Sequence, residues 1–216
     1  MKQIKFLVIA VVSFLPILAS CVEPLLVDQN KREESFLNNK GIDLDLELGF
    51  SSFINDRGRV NGGFTEKFIV GYNTPLTPVI SGGFEVYLQH NDTQCIYGAS
   101  EYTVAVFHLD WNMGIDLKVG FVVDPSTLVF VRAGVDQGRF RFNYYGPSTV
   151  AMNNGHMIRY KMLGGAFGAG VEHNFSDQWF LKGALDMKVY DPSSSYSPLG
   201  LLSGVVSIGY QFPIHN

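Results

Sequence analysis

Charged side chains are scarce in this sequence of 216 residues, because Asp, Glu, Lys and Arg make up only 17% of it. An average soluble domain has about 25%. So low a charge content disfavours an intrinsically disordered chain or a coiled coil. The net charge of -4 also lacks the basic excess that nucleic-acid-binding proteins carry. We therefore expect a single folded domain that does not bind nucleic acid.

Cysteine is nearly absent as well, since Cys21 and Cys95 are the two in the chain. A framework of several intramolecular disulfides is therefore excluded. Polar residues precede Cys95 at positions 91–94, which predicts that Cys95 lies in a loop as an inert thiol. A reactive thiol and a Cys21–Cys95 bridge are the two alternatives.

The sequence has no apolar run that reaches the roughly 20 residues of a transmembrane helix. The stretch from Phe6 to Leu18, which follows Lys2 and Lys5, has the length and flanks of a secretory signal. It ends in residues 18–21, Leu-Ala-Ser-Cys, which resemble a bacterial lipobox. We expect residues 1–20 to be removed and Cys21 to be lipidated, with ordinary signal cleavage near this point as the alternative.

A strict alternation of apolar and polar residues is the main pattern in the rest of the chain. From Phe107 to Phe121, every odd position is apolar and every even position is polar or glycine. Successive side chains of a strand point to opposite faces, so this segment would have one apolar and one polar face. Its length of about 15 residues exceeds the 9–11 that a transmembrane strand needs.

Seven further segments alternate in a similar way, which makes eight candidate strands. The fifth is less regular, because Phe130 shares the parity of Arg132 and Asp136. The eight segments are 42–51, 67–72, 80–89, 107–121, 128–141, 167–172, 179–189 and 202–212.

The connections between these segments alternate between short and long. The short ones, at 74–77, 124–127 and 176–177, contain the Pro, Asp and Ser residues typical of turns. The long ones are polar and lie at 54–63, 90–101, 143–156 and 191–200. This pattern predicts an all-β fold: an eight-stranded antiparallel up-and-down transmembrane β-barrel with short periplasmic turns and long extracellular loops.

The ionisable residues indicate which face meets lipid. A Lys or Arg on the lipid face near mid-bilayer costs about 2–4 kcal/mol, so we expect the charged parity to face the lumen. Eight strands enclose just enough space for side chains to fill, so no open pore is expected. The residues predicted to form this luminal charge network are Asp43, Asp45, Glu47, Glu85, Asp110, Asp116, Lys118, Arg132, Asp136, Glu172, Lys182, Asp186 and Lys188.

Within this network, Asp43, Asp45 and Glu47 form an acidic stripe that could bind a cation. The interpretation we favour is that they pair across the lumen with Lys118, Lys182, Lys188 or Arg132. His108 and Asp110 share the predicted inward face and could be a catalytic pair. A luminal hydrogen-bond network accounts for them more simply. The five histidines do not have metal-ligand spacing with a Cys or carboxylate cluster.

Two stretches resemble the small outer-membrane proteins of the OmpA/opacity-protein type, which are porin-like barrels. One runs from 119–121 through Asp124-Pro125 to 130–134, and the other from 168–172 through Asp177-Gln178-Trp179 to Asp191. In that family, a strand ending in Gly and an aromatic residue passes through a short Asp-containing turn. The resemblance covers about 42–212. It implies a monomeric eight-stranded barrel in the bacterial outer membrane that serves envelope integrity or surface contacts.

The chain therefore divides into a signal peptide (1–20), a periplasmic tether (21–41), the barrel (42–212) and a C-terminal tail (213–216). The expected function is a structural or adhesin-like surface role through the extracellular loops, with no enzymatic activity, metal or cofactor. The expected partners are outer-membrane lipids and lipopolysaccharide, and a host or cell-surface ligand of the loops. The alternatives are a soluble lipocalin-like barrel that binds a small apolar ligand and, less favoured, a lipid-modifying barrel enzyme.

Overall fold

The computed structural model describes residues 40–54, 59–60, 62–100, 103–145, 157–191 and 199–214. The predicted signal peptide, the lipidation of Cys21 and most of the predicted tether lie outside these residues and stay predictions. The strands are β1 (Gly41–Ile54), β2 (Arg59–Val60), β3 (Gly62–Thr77), β4 (Ile80–Ser100), β5 (Thr103–Asp124), β6 (Thr127–Tyr145), β7 (Met157–Asn174), β8 (Trp179–Tyr190) and β9 (Leu199–Pro213). A membrane-spanning apolar helix is not found in the described part of the chain.

The eight long strands form one closed antiparallel sheet. Neighbours in sequence pair with each other, and β1 closes the barrel by pairing with β9 from Gly41–Pro213 to Ile54–Gly200. The short β2 adds a two-residue pairing to the outer part of β4. Closure gives each of the eight long strands two hydrogen-bonded neighbours, which is the condition for placing a sheet in hydrocarbon. The predicted eight-stranded antiparallel up-and-down barrel is confirmed.

The strands are staggered as they go around the barrel. Following paired residues once around from Ser81 in β4 returns to β4 at Asn91, ten residues further along. Such a stagger requires the strands to tilt, typically by about 35–45°. A row of residues paired from strand to strand therefore does not run level around the barrel. Followed from β4 through β5 and β6 to β7, each paired residue lies nearer to the end that has the β4–β5 hairpin than the one before it.

One end of the barrel, here called the turn end, has short connections. They lie at 78–79, 125–126 and 175–178. The turn predicted at 74–77 was misplaced, because these residues continue β3 through a register shift between Pro75 and Thr77. The Thr77 hydroxyl accepts hydrogen bonds from the backbone N–H groups of Val79 and Ile80, at 3.3 and 3.0 Å, and so fixes the turn two residues later.

The opposite end, here called the loop end, differs from the prediction at one connection. Residues 90–101 were expected to form a loop, but β4 continues to Ser100 and pairs there with Thr103 of β5. Cys95 is consequently a strand residue that pairs with Phe107, and its predicted loop position is wrong. The polar Asn91 and Thr93 belong to a strand because they face a polar lumen, where they are buried.

The two faces of the sheet differ as the alternation predicts. Leu117 and Val206, with 68% and 66% of their surface exposed, project outwards, whereas Glu47 and Lys67 are fully buried in the lumen. A soluble lipocalin-like barrel would need the opposite arrangement, with its apolar parity inside. That alternative is therefore wrong.

Aromatic side chains on the outer wall mark the two edges of the apolar band. At the turn end, the rings of Trp179, Tyr210 and Phe212 are in contact, with neighbouring centroids 5.0 and 4.7 Å apart. At the loop end, the His90 and Trp111 rings lie 4.7 Å apart. Paired girdles of this kind flank the roughly 25 Å apolar band of outer-membrane barrels.

A β-bulge in β5 reverses the faces near the loop end. The register shifts between Leu109 and Trp111, which leaves Asp110 as the extra residue of β5 opposite β6. Trp111 projects outwards, while Leu109 and Phe107 are buried inside. One extra residue exchanges the two faces of a strand, so the prediction of a single outward parity from 107 to 121 fails before the bulge.

Candidate functional site

Arg132 lies at the centre of the charged lumen, on β6. Its Nε and Nη2 atoms donate to the two oxygens of Asp186 at 2.9 and 2.6 Å, a bidentate arrangement. Its Nη1 atom donates to Glu85 at 2.9 Å and to Glu47 at 3.2 Å. Lys67 adds a second cation, 3.0 Å from Glu47 and 3.4 Å from Asp186. These contacts connect β1, β3, β4, β6 and β8 across the barrel.

Two further lysines extend this cluster towards the turn end. Lys182 donates to Glu85 at 3.2 Å and also pairs with Asp45. Lys118 pairs with Glu172 at 2.6 Å and lies 3.7 Å from Glu85. Because all five side chains are buried, these pairs are shielded from water and salt. They connect β1, β4, β5, β7 and β8 across the lumen.

A second cluster is built around Asp136, nearer the loop end. This carboxylate accepts hydrogen bonds from Tyr87 at 2.7 Å, Tyr190 at 2.5 Å and Asn112 at 2.6 Å. Lys188 provides its countercharge at 3.1 Å. The lysine also lies over the Tyr87 ring, 4.5 Å from its centroid, in a cation–π contact. A buried carboxylate is stable in such a place because each of its oxygens has partners.

Asp43 and Asp116 are the least compensated carboxylates of the described lumen. Asp43 accepts a hydrogen bond from the side-chain amide of Asn73, but its Oδ1 atom has no partner among the described residues. Asp116 likewise has an unpartnered Oδ1 atom in the described part of the barrel. The acidic stripe is thus only partly paired: Asp45 contacts Lys182 and Glu47 contacts Arg132, whereas Asp43 has an amide partner.

Asp110 does not belong to the luminal network, which corrects its predicted place. Because of the bulge, it lies on the outer wall with His108 and pairs with Arg141, whose Nε atom is 2.7 Å away. A catalytic His108–Asp110 pair inside the lumen is therefore wrong too. The other network residues named from the sequence are buried in the lumen.

Several luminal partners were missed by sequence reasoning. Lys67, Tyr87 and Tyr190 each complete an ion pair or hydrogen bond of the network. The alternation pattern could have predicted their inward orientation. Lys67 alternates with outward-facing apolar residues, and Tyr190 lies two residues after Lys188, on the same face of its strand. The hydroxyl of a tyrosine is polar, but its ring looks apolar in a pattern of hydropathy.

Apolar clusters close the lumen on both sides of the charges. The loop-end cluster contains Phe53, Phe107, Leu109, Phe140, Met162, Tyr190, Leu199 and Leu201. The turn-end cluster contains Val122, Leu128, Phe130, Ala184 and Val205. The described lumen is therefore filled by side chains along its length. Among the described residues, His, Cys, Asp and Glu form no group of three that could hold a metal ion.

Comparison with known proteins gives this architecture a family. Residues 16–191 match the family model described as the outer membrane protein beta-barrel domain. The chain belongs to this family. It is accordingly a protein of the bacterial outer membrane, and its resemblance to small barrels of the OmpA/opacity type is confirmed.

Solved structures of outer-membrane barrels share the fold at low sequence identity. Neisserial surface protein A is 12% identical with a TM-score of 0.55, and the match covers 80% of this chain and 97% of that protein. OprG from Pseudomonas aeruginosa is 10% identical with a TM-score of 0.52, and the match covers 83% of this chain and 100% of OprG. A major outer membrane protein from Thermus thermophilus is 13% identical with a TM-score of 0.50, with coverages of 80% and 98%. No curated protein matches the sequence.

Proposed function

We propose that this protein is a monomeric structural and surface-contact barrel, which binds a host or cell-surface ligand through its loop end and has no enzymatic activity. The observation that carries the proposal is the contrast between the two parts of the barrel. The lumen is filled by ion pairs and apolar side chains, which disfavours transport. The strands at the loop end continue beyond the apolar band, where they are available to a partner outside the cell.

The β4–β5 hairpin is the most extended described part of the loop end. Its strands pair from the level of Trp111 to Ser100–Thr103, and β6 pairs with β5 as far as Tyr145–Val104. From Trp111 to Thr103 the strand rises by about 26 Å, at roughly 3.3 Å per residue. A three-stranded paired wall of this height supports contacts more rigidly than a free loop, because its backbone groups are hydrogen-bonded.

The proposal predicts that shortening this hairpin removes attachment without removing the barrel. Replacement of residues 96–106 by Asn-Gly would leave the paired Cys95 and Phe107 joined by a two-residue turn, a sequence suited to tight hairpins. Cells of a Gram-negative expression strain that carry the full-length protein should attach to an epithelial monolayer several-fold more than cells of the same strain without it. Cells with the shortened hairpin should lose most of that gain.

A matched control is available at the other end of the barrel. Replacing Pro125-Ser126 by Asn-Gly introduces the same turn on the periplasmic side, where it should leave attachment unchanged. Folding of each variant is checked by the shift in gel migration between unboiled and boiled samples. If the folded shortened variant attached as well as the wild type, the surface-contact proposal would be wrong.

A further inference from the structure

The outer wall carries a concentrated group of cations at the loop end, here called the cation patch: Arg139, Arg141, Arg159 and Lys161. The register places Arg139 of β6 opposite Lys161 of β7, and Arg141 opposite Arg159. Arg139, Arg159 and Lys161 are exposed and Arg141 is partly exposed, whereas Phe140 and Met162, which adjoin Arg139 and Lys161 in the same strands, are buried in the lumen. The patch therefore faces outwards from the barrel.

Two like-charged pairs stand in direct opposition within the patch. Side chains opposite each other across antiparallel strands have Cβ atoms about 4.5–5.5 Å apart, and like charges placed there are destabilising. Among the described residues, only Arg141 has a carboxylate partner, Asp110, at 2.7 Å from its Nε atom. The patch has a surplus of positive charge that an external anion would neutralise.

The depth of the patch indicates where that anion comes from. Trp111, in the loop-end girdle, pairs with Arg139, and Arg139 pairs with Lys161. Paired residues lie progressively nearer the loop end on going from β5 through β6 to β7. Arg139 and Lys161 therefore lie at or just above the level of the tryptophan ring. This is the level of the headgroups of the outer leaflet, next to exposed apolar side chains such as Leu163 (65% exposed) that contact acyl chains.

We propose that the cation patch is a binding site for the phosphate groups of lipid A, the lipid part of lipopolysaccharide. Phosphates attached to the glucosamine headgroup lie at this depth in the outer leaflet. Guanidinium groups bind phosphate oxygens in a planar, bidentate manner, and a lysine adds a point charge. This site goes beyond the proposed surface contact, since it uses the barrel wall below the hairpin rather than its tip.

Lipid A binding to the full-length protein in non-ionic detergent tests the site, with native mass spectrometry as the readout. The wild type should retain bisphosphorylated lipid A and bind its dephosphorylated form at least roughly tenfold more weakly, as expected when several cations lose their anion. The R139Q/R159Q/K161Q variant should lose affinity for the bisphosphorylated form to a similar extent. It keeps the Arg141–Asp110 pair intact.

Two controls distinguish phosphate recognition by the patch from nonspecific retention of lipid and from binding of free phosphate. The R139K/R159K/K161R variant preserves all three charges and should bind more tightly than the glutamine variant. Inorganic phosphate at millimolar concentration should not displace lipid A from the wild type. Equal retention of dephosphorylated lipid A by the wild type would overturn the proposal without use of any variant. Unchanged binding by the folded glutamine variant, or full displacement by inorganic phosphate, would overturn it as well.

Discussion

Replacing Arg132 by alanine should lower the free energy of unfolding by about 3–5 kcal/mol, the cost of removing one partner from a buried ion-pair network. The guanidinium contacts three carboxylates, those of Asp186, Glu85 and Glu47, at 2.6, 2.9 and 3.2 Å. Without it, three buried negative charges would face one another with lysines as their only countercharges. The measurement is urea unfolding in phosphatidylcholine vesicles, followed by tryptophan fluorescence.

The chain offers a matched control for this prediction. Arg141 also pairs with a carboxylate, that of Asp110, but 42% of the arginine side chain is exposed on the outer wall. Exposed ion pairs contribute about 0–1 kcal/mol, so Arg141→Ala should have a small effect. Arg132→Lys should fall between the two, because it keeps the charge and loses the bidentate geometry. Equal effects of Arg132→Ala and Arg141→Ala would contradict a stabilising role for the luminal network.

Replacing Leu117 by arginine should destabilise the barrel in a bilayer by about 2–4 kcal/mol, the cost of a basic side chain on the lipid face near mid-membrane. Leu117 projects outwards from β5 and lies between the loop-end Trp111 and the turn-end Phe121. Leu117 is paired with Phe84 of β4 and Ala133 of β6, so neither paired residue is an acidic side chain that could compensate the new charge.

Leu76 provides the control for depth. It is about as exposed as Leu117, at 62%, but it lies at the end of β3 next to the 78–79 turn. Leu76→Arg should cost about 0–1 kcal/mol, because the penalty falls towards the interfaces. The same vesicle unfolding assay measures both variants. A barrel whose outer wall faced water would tolerate the two substitutions equally, and that result would refute a lipid-facing wall.

The sequence predicted the two faces of the barrel because lipid and lumen impose opposite demands on neighbouring residues. Leu46 and Glu47 illustrate this: the first projects outwards and the second is fully buried among cations. Exchanging them would place an ion in hydrocarbon and leave Arg132 without one of its partners. Period-two alternation with charges on a single parity therefore indicated both the strands and their orientation.

The same rule fails where the chemistry of the two sides becomes similar. Near the loop end the lumen is itself apolar, so Phe107 and Leu109 suit either side and their parity carries no orientation. A bulge at Asp110 could then reverse the strand without any break in the pattern. In β4 the error has the opposite cause. Asn91 and Thr93 face a polar part of the lumen, and their polar side chains led to the prediction of a loop where the strand continues.

The most direct test of the lipid-facing wall and charged lumen is the accessibility of nitroxide labels placed one at a time from Met113 to Val119, in full-length protein with Cys21 and Cys95 replaced by serine. In phosphatidylcholine vesicles, collision with dissolved oxygen should alternate with a period of two residues. We predict maxima at Met113, Ile115, Leu117 and Val119, which face lipid, and minima at Gly114, Asp116 and Lys118. Maxima at Asp116 and Lys118 instead, or no alternation at all, would contradict an apolar wall around a charged, filled lumen.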